Sequence, residues 1–158
     1  MNRRAPRVPA AALLVLAASL FTVAPKPAHA QPARTAMTFQ AKYQVSFALV
    51  QGKLASRSGT GTASAIGKSS LSARDTFVNL FGDQCTAVEG QGSLSATHKG
   101  SLSFFYTLLV CGSSQRAGSF LAYKGTGKFK GAYGTGQFAE QAGSPYNIDL
   151  LQGTLTLP

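Results

Sequence analysis

The chain has 158 residues, with 15 Lys and Arg against 5 Asp and Glu, 17 Gly, 2 Cys and no Trp. That composition excludes collagen-like, coiled-coil and disulfide-dense classes, and an apolar content of 44% argues against disorder. The length suits one domain with its own core.

Residues 1–30 read as a secretory signal peptide: Arg3, Arg4 and Arg7 open it, 10–23 form an apolar stretch, and Ala28-His29-Ala30 offers a small-residue cleavage site. The stretch is shorter than the roughly 20 residues of a membrane-spanning helix, and no later segment is long and apolar enough either. Cleavage after Ala30 would leave eleven basic and five acidic side chains, a surplus of six positive charges, with His98 as the one histidine. The expected product is secreted or periplasmic, with 31–37 a flexible lead-in and 38–158 a single domain. In an oxidising compartment Cys85 and Cys111 form a natural structural disulfide, and no C-x-x-C spacing suggests a redox couple.

From residue 38 the apolar period is two. Phe39, Ala41, Tyr43, Val45, Phe47 and Leu49 alternate with Gln40, Lys42, Gln44 and Ser46, the pattern of a strand with one face on a core. Shorter strands are expected at 60–66, 70–81 and 92–97. The segment 102–110 alternates on Leu102, Phe104, Tyr106, Leu108 and Val110. Its other face carries Phe105 and Leu109, which predicts a strand covered on both sides. Strands at 119–124 and 135–141 follow. Near the end Tyr146, Ile148 and Leu150 hold one phase and Leu155 and Leu157 the other, which predicts a bulge or bend beside Gly153. Turn signals stand at Gly67-Lys68, Gly82-Asp83, Lys99-Gly100, Gly112-Ser113-Ser114 and Gly143-Ser144-Pro145. Eight short strands without a helical stripe describe an all-β fold, a small antiparallel barrel of about eight strands or a sandwich, and closure into the barrel would remove exposed edges.

The most specific local feature is the segment 125–138, with Gly125, Gly127, Gly131, Gly134 and Gly136. It fails the dinucleotide pattern, because Lys130 stands where the third Gly belongs, and it fails the phosphate-loop pattern, because Phe129 follows Gly127-Lys128. Its glycines serve bends, with Phe129, Tyr133 and Phe138 packing inward or against a neighbouring strand. Read as G-T-G-x-F-x-G-A-x-G-x-G, it resembles the signature of the allene oxide cyclase and dirigent-like barrel superfamily. There it marks a strand, a tight bend and a following strand late in an eight-stranded antiparallel barrel. The segment 59–68 resembles the glycine-bearing hairpin of related bacterial secreted proteins. The resemblance implies a lumen that admits a small apolar ligand, with ring-closing cyclases and radical-steering proteins among its members. No catalytic residue transfers from it.

His98 falls at an expected hairpin tip, a solvated position far from partners for general base catalysis. Asp75 is expected at an edge or rim; if instead it shares the face of Leu71, Ala73 and Phe77, it is a buried acid in need of a partner, and it is the weak catalytic candidate. Asp75, Glu89, Glu140 and Asp149 have the types to pair across strands. One histidine and no ligand cluster leave no metal site, and no cofactor is expected. Lys124, Lys128 and Lys130, with Arg116 near in sequence, share parity and would form an outward basic stripe on a continuous strand. Export makes nucleic acid an unsuitable partner and an anionic envelope component a suitable one. The expected function is a non-enzymatic exported barrel that binds a small apolar ligand or an anionic surface. The alternatives are a lumen-based cyclase or isomerase, and an interaction module without ligand.

Overall fold

The structure, a computed structural model, describes residues 33–50, 54–79, 85–112 and 115–158. The leader expected over 1–30 lies outside these residues, as do the turn positions Gly82-Asp83 and Ser113-Ser114. Eight strands follow in chain order: β1 (Thr35–Val50), β2 (Leu54–Ala63), β3 (Gly67–Asn79), β4 (Cys85–Ala96), β5 (Gly100–Cys111), β6 (Gln115–Gly125), β7 (Tyr133–Gln141) and β8 (Asn147–Leu157). Each pairs antiparallel with the next, and β1 pairs with β8, so the sheet closes into an eight-stranded barrel. Closure leaves no strand edge open to mispairing.

The period-two pattern of β1 places Phe39, Ala41, Tyr43 and Val45 inside the lumen and Gln40, Lys42, Gln44 and Ser46 in solvent. Phe39, Phe104, Phe120, Phe138 and Tyr106 fill the middle of the barrel with edge-to-face and tilted ring contacts. Burying one such side chain stabilises the fold by roughly 1.5–3 kcal/mol. The rings fit because glycines stand opposite them: Gly92 pairs with Phe104 and Gly90 with Tyr106, and a Cβ at either glycine would overlap the facing ring. The Cys85–Cys111 disulfide joins register partners where β4 begins and β5 ends, across 26 residues of chain. A loop of that length is worth roughly 3–4 kcal/mol in the chain-entropy account.

The two ends of the barrel differ. At one end the β2–β3, β4–β5 and β6–β7 connections close over Ile66, Leu94, Leu102, Phe129 and Leu155, all 2% exposed or less. A single 3₁₀ turn, Gly127–Phe129, seats Phe129 in this plug, and Gly131 at φ +83° turns the chain into β7. The connections latch to one another: Lys128 N–H donates to the Lys99 carbonyl at 2.9 Å, and Lys99 Nζ to the Ile66 carbonyl at 3.0 Å. The opposite end carries the polar interior described below; among the described residues it is open, and the connections at 51–53, 80–84 and 113–114 lie outside them.

Several expectations are corrected by this geometry. Thr35, Ala36 and Met37, expected in a flexible lead-in, pair with β8 and belong to β1. β2 and β4 begin well before residues 60 and 92, because inward Arg57, Gly59, Gly90 and Gly92 interrupt the apolar alternation that marks a strand. β8 has no phase switch: its register with β1 and β7 runs unbroken, and the inward residues are Asp149, Leu151, Gly153 and Leu155. Ile148 and Leu150 face outward, and a carboxylate takes the inward position because a guanidinium waits there. The irregularity lies instead between β5 and β6, where Ser103 pairs with Lys124 and Phe104 with Ala122. β5 is covered on one side only, since a closed barrel has no second layer. Phe105 and Leu109 are 40% and 43% exposed, and Phe105 stacks on Tyr123 of β6. Tyr133 likewise faces outward, under the Arg34 guanidinium.

Candidate functional site

Four inward charged residues from four strands meet below the open end. Arg57 on β2 is 3% exposed and lies at the centre. Its Nε and Nη2 donate to the Asp75 carboxylate on β3, at 3.0 and 2.7 Å to Oδ2. Its Nη1 donates to Glu140 Oε2 on β7 at 2.7 Å and to both Asp149 oxygens on β8 at 3.1 Å. The three carboxylates are 4% exposed or less. Three rings, Phe47, Tyr106 and Phe138, lie 5.5–5.8 Å from the guanidinium carbon, within cation–π range. The outer acceptors are served from elsewhere: the Tyr106 hydroxyl donates to Asp75 Oδ1, while Arg116 Nη1 on β6 and Asn147 Nδ2, at 3.1 Å, donate to Glu140 Oε1.

This satisfaction is what makes the burial tolerable, because an ion taken from water without full pairing costs several kcal/mol. The titrations follow from the same geometry. Burial works against the Arg57 charge, yet Asp149 and Asp75 outweigh it and hold the guanidinium more firmly protonated than usual. Burial raises the Tyr106 phenol, opposed by Arg57 and helped by Asp75. Burial also pushes the Asp149 carboxyl up to about 6, with Arg57 pulling against it and the Glu140 and Asp75 charges adding to it.

Above the cluster a cavity of about 290 Å³ opens. Its walls are Phe47, Phe77, Val88, Leu108 and Val110, and its polar boundary is Arg57, Arg116, Glu140 and Thr86. The volume is at the small end of the roughly 300–1,000 Å³ of ligand sites. The Cys85–Cys111 bond lies beside this opening, next to Thr86 and Val110 in the register, and ties two of its walls together.

The residues singled out in the sequence scatter to three places. Asp75, Glu140 and Asp149 come together as described, and Asp75 sits on the buried face, engaged by Arg57 and Tyr106 and not among the cavity walls. Glu89 points out to solvent, and His98 stands at an exposed hairpin tip with φ +62°. Lys124, Lys128 and Lys130 are all exposed, but they form no strand stripe: β6 stops at Gly125, and Lys128 and Lys130 lie in and after the 3₁₀ turn. They decorate the plugged end, opposite the cavity. Arg116 is not part of that group and faces the cavity instead. Of Gly125, Gly127, Gly131, Gly134 and Gly136, the middle members shape the turn and the last two lie on β7 against β8.

Arg57 escaped the sequence reading although the signal existed: Ala55, Arg57, Gly59, Gly61 and Ala63 hold one parity, and a strand with that face inward must bury the arginine. Among the described residues, no group of three or more His, Cys, Asp and Glu side chains is arranged to hold a metal ion; the place a cation would occupy among the carboxylates is filled by Arg57. No described helix is long and apolar enough to cross a membrane. Comparison with protein-family models, curated proteins and solved structures returned no match to this chain.

Proposed function

We propose that the protein is an exported barrel that holds a small, largely apolar molecule in the open end of its lumen and does no chemistry on it. The observation that carries this reading is the cavity itself: five apolar walls over a charged floor, in a barrel whose other end is plugged. The disulfide is consistent with an oxidising, extracytoplasmic location. The likeness of 125–138 to the allene oxide cyclase and dirigent-like signature agrees with a lumenal ligand. The bonding around the cavity supports a binding role. A general base needs a lone pair within reach of its substrate. Glu140, the one carboxylate among the described residues of the wall, accepts at both oxygens from Arg57, Arg116 and Asn147.

The test is a fluorescence titration of the processed protein with the neutral dye N-phenyl-1-naphthylamine. Saturable one-site enhancement is expected, abolished by Val110→Trp, which fills the cavity from its rim, and unchanged by Phe105→Ser on the outer face. Enhancement that survives Val110→Trp, or that is absent from the wild-type protein, would overturn the reading.

A further inference from the structure

The geometry points to the class of that ligand: we infer that the cavity takes a small monoanion, an apolar body with one carboxylate placed on the Arg116 guanidinium, and that its binding is coupled to uptake of a proton by the carboxylate cluster behind. This rests on the lumenal-ligand reading.

The first step is an account of donors and acceptors at the cavity. Arg57 is enclosed, and its three nitrogens are already engaged by Asp75, Glu140 and Asp149. Glu140 receives three donors. Arg116 differs. Its side chain is 30% exposed, it borders the cavity, Nη1 is bound to Glu140, Nε is buried without a partner among the described residues, and no described residue bonds Nη2. The spare hydrogen-bonding capacity at the cavity floor is therefore donor capacity on a guanidinium, whose planar fork matches a carboxylate. Among the described residues, a cationic ligand would meet two arginines and no unengaged carboxylate. A hydrocarbon would leave the Arg116 donors dry and unpaired.

The second step is charge. The enclosed set holds two guanidiniums, Arg57 and Arg116, against three carboxylates, Asp75, Glu140 and Asp149. A ligand carboxylate makes a fourth negative charge, in a space with little water to screen it. Protonating one carboxylate relieves this. Asp149 is the one placed to accept the proton. It receives hydrogen bonds from Arg57 Nη1 alone, whereas Asp75 is held by two nitrogens of Arg57 and by Tyr106, and Glu140 by three residues. Around Asp149 stand Glu140 as its register partner on β7, Tyr43 as its partner on β1, Arg57 on β2, Asp75 on β3 and Tyr106 on β5, with Arg116 of β6 beyond Glu140. Its carboxyl is already raised by burial and by the neighbouring carboxylates. A further anion raises it more, and reciprocity requires that protonation tighten the anion.

The experiment is an NMR titration of the processed, disulfide-bonded protein with benzoate, benzyl alcohol and benzylamine at pH 6, 7 and 8. Benzoate is expected to bind at least about tenfold more tightly than benzyl alcohol, with benzylamine weakest, and its Kd should rise with pH from 6 to 8, by no more than about tenfold per pH unit, the limit for one linked proton. Arg116→Gln should erase the preference for benzoate over benzyl alcohol. Asp149→Asn should flatten the pH dependence while keeping that preference. Equal affinity for the three compounds overturns the anion assignment and leaves the lumenal reading standing. A benzoate Kd independent of pH in the wild-type protein overturns the coupling. Binding of none of them, together with failure of the neutral dye to bind, removes the lumenal reading and this inference with it.

Discussion

The two ends of the barrel fill their share of the lumen by opposite physical means. The plugged end uses apolar side chains, Ile66, Phe129, Leu94, Leu102 and Leu155, whose burial is favourable without regard to direction or pH. The open end fills its floor with Arg57 and three carboxylates, whose burial is tolerable only while each charge keeps its partners. The comparison teaches that the plug is a term in stability and the floor a term in specificity. Losing one contact in the plug leaves a small void, but losing one partner in the floor leaves a charge stranded.

The largest effect should come from Arg57→Met, which keeps the volume and removes the centre of the network. A loss of about 5 kcal/mol is expected at pH 7.5, at the upper end for a broken buried pair because three carboxylates lose one partner. The loss should shrink at pH 4.5, where the stranded carboxylates can take up protons. Urea unfolding at both pH values measures it, and a loss of under about 1 kcal/mol at pH 7.5 would mean that the cluster is far better hydrated than its burial indicates. Phe129→Ala, at the other end, should cost about 3–5 kcal/mol equally at both pH values, with dye binding in the cavity unaffected. A pH-dependent loss there would erase the distinction between the ends.

The smallest effect sharpens the comparison. The folded-state value of Asp149, about 6, lies above the ordinary 3.8. The native state therefore holds this proton more tightly than the unfolded chain. The stabilisation is complete below pH 3.8 and is lost as pH rises through 6. Asp149→Asn removes that titration, so the stability of the wild-type protein relative to the variant should fall by up to about 3 kcal/mol between pH 4 and 7. A difference that is constant with pH would show the carboxyl to be ionised throughout.

Much of the fold was legible because β1 alternates strictly, β5 keeps one apolar face, and the turns carry glycine. Disulfide pairing was legible from two cysteines and the expectation of export. The site was only half legible. Asp75, expected at a rim, is buried, and its cation, Arg57, lies 18 residues away in a stretch whose other inward positions are Ala and Gly. Glu140 and Asp149 are 83 and 92 residues from the same guanidinium. The reading of Ile148 and Leu150 as core failed for a related reason. Periodicity assigns the polar residue to solvent, and only a partner across the lumen reverses that assignment.

By itself the chain determined its all-β antiparallel class, the places of most strands and its one covalent staple, because alternation and turn chemistry act over a few neighbours. Only the tertiary structure decided which ionisable groups lie inside, that they converge on Arg57, and that a cavity lies beside Arg116. Those outcomes depend on where eight strands meet around an axis, and on charges that become affordable only in each other's company.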